Sequence, residues 1–165
     1  MVPGGQTRKQ TVKNCLEFVP SDTDLVLIHD SVRPFIDEKI LNNVIDAASR
    51  YQAAVVGVPI KSTIKRINLN ELEVDTTLRR EEIWEIQTPQ VFKRELIMRA
   101  YQNIDNVEAP DDSFLVERLG HKVMLVLGSY FNIKITTYED LVFADAINSF
   151  LKDKDGQKYK SRIGI

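Results

Sequence analysis

Asp30 and Arg33 stand three residues apart in the stretch Asp24–Phe35, DLVLIHDSVRPF. Ahead of them Leu25, Val26, Leu27 and Ile28 form an apolar run long enough for one buried strand, and Pro34 closes the segment. An apolar run that gives way at once to an acid, a hydroxyl and a base marks the carboxyl edge of a parallel sheet in α/β proteins. That is the edge at which such folds bind ligands. There Asp30 suits a metal ion or a ligand hydroxyl, and Arg33 suits a phosphate. A plain ion pair at the strand end is the competing reading. Lys134 poses a similar question within Phe131–Thr137, FNIKITT. An ammonium in an apolar strand is costly to bury. It either snorkels to solvent or faces a ligand, and the neighbouring hydroxyls favour the ligand.

Gly4-Gly5-Gln6-Thr7-Arg8 sets a glycine turn at the start of a helix, where free N–H groups suit an anion or a base edge. Ordinary turn chemistry accounts for it equally well, and it matches neither the P-loop nor the dinucleotide fingerprint. Lys61, Lys65, Arg66, Arg79 and Arg80 cluster further on. They form either a solvated face or a phosphate site completed by a neighbouring subunit. His29 and His121 are the only histidines, and one histidine with one acid does not make a transition-metal site. The single Cys15 excludes an intrachain disulfide and a cysteine zinc cluster, suits a reducing compartment, and reads as core on an apolar helix stripe. Trp84 reads as packing, and no Ser-His-Asp set emerges.

These side chains need a scaffold. Thr7–Val19 has a helical stripe of Val12, Cys15, Leu16 and Val19. Asp37 can cap a helix running to about Tyr51, with Ile40, Leu41, Val44, Ile45 and Ala48 at helical spacing. Ala53–Val58 is a second buried strand, so Leu25–Val58 reads as a βαβ unit with a parallel strand pair. Residues 61–87 break the rhythm. Alternation in Thr63–Ile67 and Leu72–Asp75 around Asn68-Leu69-Asn70-Glu71 predicts a β-hairpin arm, and such an arm needs a surface to pack on, most simply a second subunit. Trp84–Gln87 reads as a short strand stopped by Thr88-Pro89-Gln90. Lys93–Gln102 is amphipathic, Asn103–Pro110 is a polar loop, and Asp111–Leu119 is a short helix stopped by Gly120. Val123–Leu127 and Phe131–Ile135 are predicted as buried strands, and Thr136 or Thr137 caps a helix over Tyr138–Leu151. The expected fold is α/β, a mostly parallel Rossmann-like sheet flanked by helices with a protruding β-arm. One domain covers residues 1–152 and a flexible tail covers 153–165.

The chain has 165 residues, enough for one domain with a real core, and is 43% hydrophobic and 28% charged with a net charge of -2. That balance argues against nucleic acid or an anionic membrane as a partner. The apolar runs are too short to span a bilayer, and MVPGGQTRKQ lacks the apolar centre of a signal peptide. A cytoplasmic location is expected.

Taken in order, GGQTRKQTVKNCL, LIHDSVRPF, VPIKSTIKR, LRREEIWEIQTPQVF, APDDSFLVERLG and NIKITTYEDL resemble the 2-C-methyl-D-erythritol 4-phosphate cytidylyltransferases of the non-mevalonate isoprenoid route. The resemblance runs from about Val2 to Ile147. It implies transfer of CMP from CTP to methylerythritol phosphate with release of pyrophosphate, aided by a divalent cation, usually Mg2+. It further implies that Gly5, Gln6, Thr11 and Ser31 contact the nucleotide. Asp30 would lie between nucleotide, metal and substrate. Arg33 would bind the substrate and Thr88 would line the same pocket. Thr63 and Arg80 would reach the methylerythritol phosphate of a partner subunit in an arm-linked homodimer. Lys134 would stabilise charge on the α-phosphate.

The ribitol-5-phosphate cytidylyltransferases share several of these blocks, and IWEIQTPQVF and DDSFLVERLG lean toward the erythritol-phosphate branch. A non-catalytic remnant or a binding and dimerisation module is the alternative of another class. The sequence departs from the family pattern at Ser62, where an acid is common, and at Pro110, where Thr is common. The family's opening strand and glycine-rich, triphosphate-cradling loop have no counterpart in these residues. The expectation is that the chain alone binds CTP weakly and turns over poorly.

Overall fold

A computed structural model describes residues 1–102 and 108–153. The predicted tail lies outside the described residues except for Asp153, as do residues 103–107 of the predicted polar loop. The elements in chain order are α1 (Arg8–Leu16), β1 (Leu25–Ile28), α2 (Glu38–Tyr51), β2 (Ala53–Pro59), β3 (Lys65–Asn68) and β4 (Glu73–Thr77). A 3-10 turn (Arg80–Glu82), β5 (Trp84–Lys93), α3 (Arg94–Ala100), α4 (Asp112–Glu117), β6 (Met124–Leu127) and α5 (Tyr138–Lys152) follow.

Helix α2 shows how local chemistry builds the fold. The Asp37 carboxylate accepts from the Lys39 and Ile40 N–H groups and satisfies the helix start. Ile40, Val44 and Ala48 then recur every fourth residue and bury one face. That face packs on Ala54, Val56 and Val91 of the sheet. The opposite face of the sheet, at Ala53 and Phe92, is covered by Leu16 of α1, by Leu96, Ile97 and Ala100 of α3, and by Leu115 and Val116 of α4.

The main sheet has the order β1-β5-β2-β6. β1, β2 and β6 run in one direction, so the α/β fold with a mostly parallel set of strands holds. The neighbour relation within the expected βαβ unit does not. β5 lies between β1 and β2 and is antiparallel to both, and among the described residues only β2 and β6 form a parallel ladder. β5 is also not a short strand ending at Gln87; it continues through Thr88 and Pro89 to Lys93. The continuation is possible because β5 bulges. Val55 pairs with Gln90 and Gly57 with Ile86, so Val56 alone spans Gln87, Thr88 and Pro89. A proline in a central strand is tolerated at a bulge, where no ladder bond is asked of it. The Thr88–Pro89 peptide is cis.

Three other expectations are corrected. Phe131–Ile135 is not a strand: Ile135 N–H donates to the Val32 carbonyl, but no ladder forms. β6 is not buried, because it is the sheet edge and Met124, Leu125 and Leu127 are exposed. Cys15 is exposed, because only Leu16 of α1 is fully buried. The predicted arm is present as the antiparallel pair β3–β4, with every residue exposed. Helix α5 starts in a capping box between Thr137 and Asp140 and buries only Ala144.

Candidate functional site

β1 ends at Ile28, beside the β5 bulge, and this junction builds the site. The Asp30 N–H donates to Thr88 Oγ1 at 2.9 Å. Thr88 Oγ1 is 3.0 Å from His29 Nδ1, and His29 Nε2 is 2.9 Å from the Arg33 carbonyl oxygen. A carbonyl can only accept, so Nε2 carries a proton, and in the neutral imidazole Nδ1 accepts from the Thr88 hydroxyl. The turn holding Asp30 is thus fastened to the bulge at two points. Asn132, fully buried, completes the frame. Its side-chain amide donates to Gln87 Oε1 and to the Thr88 carbonyl, and its own carbonyl accepts from Arg33 Nη1 at 2.8 Å.

Three cations converge on the Asp30 carboxylate. Arg8 Nε lies 3.2 Å from Oδ1, while Lys134 Nζ and Arg33 Nε lie 3.1 and 3.6 Å from Oδ2. Burial disfavours the charged form of Asp30, but hydrogen bonds from Lys134 and Arg8 outweigh it and hold the carboxyl below the usual carboxylate range. Arg33 is buried, whereas the Lys134 side chain is 42% exposed, so its ammonium can meet an incoming anion while still touching Asp30. Arg8, Asp30, Arg33, Thr88 and Lys134 line one polar pocket of about 110 Å³ with Gln87, Gln90, Pro110 and Asp111. Such a pocket can bind a phosphate and stabilise negative charge developing on it.

Of the residues singled out from sequence, the fold brings together Asp30, Arg33, Thr88 and Lys134. Gly5, Gln6, Thr11 and Ser31 do not line this pocket. Gly5 and Thr11 form a separate turn, in which the Gly5 N–H donates to Thr11 Oγ1 at 2.9 Å. A β-carbon on Gly5 would come within 2.9 Å of the Gln10 backbone, so the turn requires glycine. Thr63 and Arg80 stand exposed at the base of the arm, with Arg80 Nη1 donating to the Lys61 carbonyl. Lys134 sits in the irregular segment after β6, where Asn132 and the Ile135 backbone bond hold it, rather than on a strand.

Arg8 and Asp112 were not anticipated from sequence. Arg8 Nη2 also lies 2.6 Å from Asp112 Oδ2, and Asp112 is fully buried at the start of α4. The Tyr101 hydroxyl donates to the other Asp112 oxygen. One signal was available. The acidic pair Asp111-Asp112 precedes α4, yet a helix start needs only one cap, and Asp111 serves as it by accepting from the Phe114 N–H. The second acid therefore required another partner.

Asp30, ringed by cations at the carboxyl end of β1, gives this α/β protein a pocket suited to a phosphate. The family model of 2-C-methyl-D-erythritol 4-phosphate cytidylyltransferase matches residues 1–149, and the chain belongs to that family. It is 46% identical over 159 residues to the 2-C-methyl-D-erythritol 4-phosphate cytidylyltransferase of Syntrophus aciditrophicus, covering 95% of this chain and 66% of the relative. It is 48% identical over 147 residues to that of Caldanaerobacter subterraneus, covering 88% and 64%. Among solved structures it resembles the 4-diphosphocytidyl-2C-methyl-D-erythritol synthase of Anaerococcus prevotii, with a TM-score of 0.81 and 37% identity over 88% of this chain and 68% of that one. The Thermus thermophilus cytidylyltransferase follows with a TM-score of 0.79 and 36% identity over 88% and 71%. The chain spans about two thirds of the length of the curated relatives it matches.

Proposed function

We propose that this chain carries acceptor-binding and charge-stabilising groups of a cytidylyl-transfer site. The reaction joins the phosphate of 2-C-methyl-D-erythritol 4-phosphate to the α-phosphorus of CTP and releases pyrophosphate. The observation that supports it best is the convergence of Arg8, Arg33 and Lys134 on Asp30. A substrate phosphate oxygen attacks the α-phosphorus, the bond to the bridging oxygen of pyrophosphate breaks, and charge builds on the non-bridging oxygens. Lys134, half exposed beside the acid, stabilises that charge, and Arg33, held by the Asn132 carbonyl, orients the acceptor phosphate.

Among the described residues no three His, Cys, Asp or Glu side chains form a metal cage. A magnesium ion held mainly by substrate phosphates needs only one or two protein carboxylates, and Asp30 fits that part. When bound, the ion would neutralise phosphate charge. The arm, with Leu69 and Leu72 exposed at its turn, suits a homodimer in which Thr63 and Arg80 reach a partner's acceptor site. No described helix is long and apolar enough to cross a membrane. We place the enzyme in the cytoplasm, where the single Cys15 suits a reducing compartment.

Pyrophosphate release measured with CTP, Mg2+ and either methylerythritol phosphate or ribitol 5-phosphate tests the proposal. Release that depends on methylerythritol phosphate, however slow, and that disappears in Lys134→Ala is the expected result. Equal release with ribitol phosphate, or none above the polyol-free control, would overturn it.

A further inference from the structure

Asp112 is a carboxylate with no exposed surface, and its burial needs a reason. Taking a carboxylate out of water is costly unless it is paired and hydrogen-bonded. It does not cap α4, because Asp111 does. Its two oxygens are divided instead, one receiving the Tyr101 hydroxyl from the end of α3 and the other receiving Arg8 Nη2 at 2.6 Å. Arg8 in turn reaches forward from α1 with Nε, 3.2 Å from Asp30. Nε and Nη2 lie on the same edge of a rigid guanidinium plane. That edge commonly grips one carboxylate with both nitrogens; here it is shared between two, one buried behind it and one in the pocket. Two fixed points on one edge, together with the covalent bond from Nε to Cδ, fix the plane.

From this geometry we infer that Arg8 is a positioning residue for Asp30, and that Asp112 and Tyr101 aim it from behind. The inference rests on the reading of the pocket as a nucleotidyl-transfer site. Its content is that the α3–α4 side of the core belongs to the site mechanically. With Asp112 and Tyr101 in place, Arg8 holds Oδ1 of Asp30 and leaves Oδ2 turned to Lys134. Without them Arg8, whose side chain is 35% exposed, is free to swing within the pocket. Lysine cannot replace it, since a single ammonium lacks the planar two-nitrogen edge.

The test compares Asp112→Asn, Tyr101→Phe and Arg8→Lys in the full 165-residue chain. The side-chain Nε–Hε resonance of Arg8 is followed by 15N NMR, and steady-state pyrophosphate release is followed in parallel. The wild-type chain should give a sharp, slowly exchanging Arg8 signal. That signal should broaden or vanish in Asp112→Asn and Tyr101→Phe while the backbone spectrum away from α4 is retained. Turnover should fall on the order of tenfold to a hundredfold in all three variants, with KM for CTP changed by less than about threefold. An unchanged Arg8 signal in both Asp112→Asn and Tyr101→Phe overturns the inference. So does full turnover in Arg8→Lys, which would mean that charge alone suffices. If Asp112→Asn does not fold, Tyr101→Phe, which removes one hydroxyl, carries the test. If the wild-type chain releases no pyrophosphate, the proposed function fails and the Arg8 signal still decides the positioning role.

Discussion

Thr88→Val isolates the joint between β5 and the Asp30 turn. Valine keeps the branched shape of threonine and removes only the hydroxyl. Two hydrogen bonds go with it, from the Asp30 N–H at 2.9 Å and to His29 Nδ1 at 3.0 Å. Thr88 is buried, so water cannot replace the lost partner without rearrangement. Each group left unpaired costs about 1 kcal/mol, for a total of about 2 kcal/mol. In a domain of this size each kcal/mol moves the melting point by about 2–4 °C, which gives a drop of about 4–8 °C. Thermal unfolding followed by circular dichroism measures it. Thr88→Ser, which restores the hydroxyl, should recover most of the loss, and Thr76→Val on the exposed arm strand serves as a control. A Thr88→Val melting point within about 1 °C of wild type would refute the reasoning, because it would mean that the hydroxyl carries no load between the two segments.

Other outcomes follow from the same structure. Gly57→Ala should destabilise by roughly 1–3 kcal/mol in urea unfolding, since its added carbon would lie 2.9 Å from Leu125 Cδ1 and 3.1 Å from the Glu85 carbonyl oxygen. The exposed carboxyl of Asp140 is held below the usual range by the Thr136 and Thr137 N–H groups. Its contribution is present above the unfolded value of about 3.9 and is lost as pH falls through the lower folded value. The stability difference between wild type and Asp140→Ala should therefore shrink toward zero in acid, read by circular dichroism. In the arm-linked homodimer proposed above, replacing the exposed Leu69 and Leu72 together by Ser should leave the monomer's melting point within about 1 °C and shift sedimentation to the monomer. Leu141→Ala on α5 should cost less than about 0.5 kcal/mol, because Leu141 is exposed, whereas Val44→Ala in the core should cost about 2 kcal/mol.

Local chemistry made much of this fold legible. The Asp37 cap and the spacing of Ile40, Val44 and Ala48 located α2, and the turn at Asn68–Glu71 located the arm. Strand order was not legible, because hydrophobic runs identify strands but not their neighbours, and β5 carries a Thr-Pro pair that looks like a stop. The apolar alternation in Phe131–Ile135 imitates a strand, but the segment is held mainly by the Asn132 side chain and by backbone bonds from the Asn132 and Ile135 N–H groups to Ser129 and Val32. Asp30, Arg33 and Lys134 stood out because each interrupts an apolar run. Arg8 and Asp112 did not, since partners 104 positions apart leave no periodic trace.

The β5 bulge has a consequence for inheritance. Three residues, Gln87, Thr88 and Pro89, face one, Val56, so β5 is two residues longer than a regular ladder would need. Side chains alternate with a period of two. Loss of one codon here would turn Trp84–Ile86 and the arm beyond it inside out relative to the sheet. Loss of Thr88 and Pro89 together would leave Gln87 facing Val56, restore an unbroken ladder with the flanking side chains on their present faces, and remove the hydroxyl that fastens Asp30. At this point a lineage could shorten its gene, keep its fold and lose its chemistry in a single event.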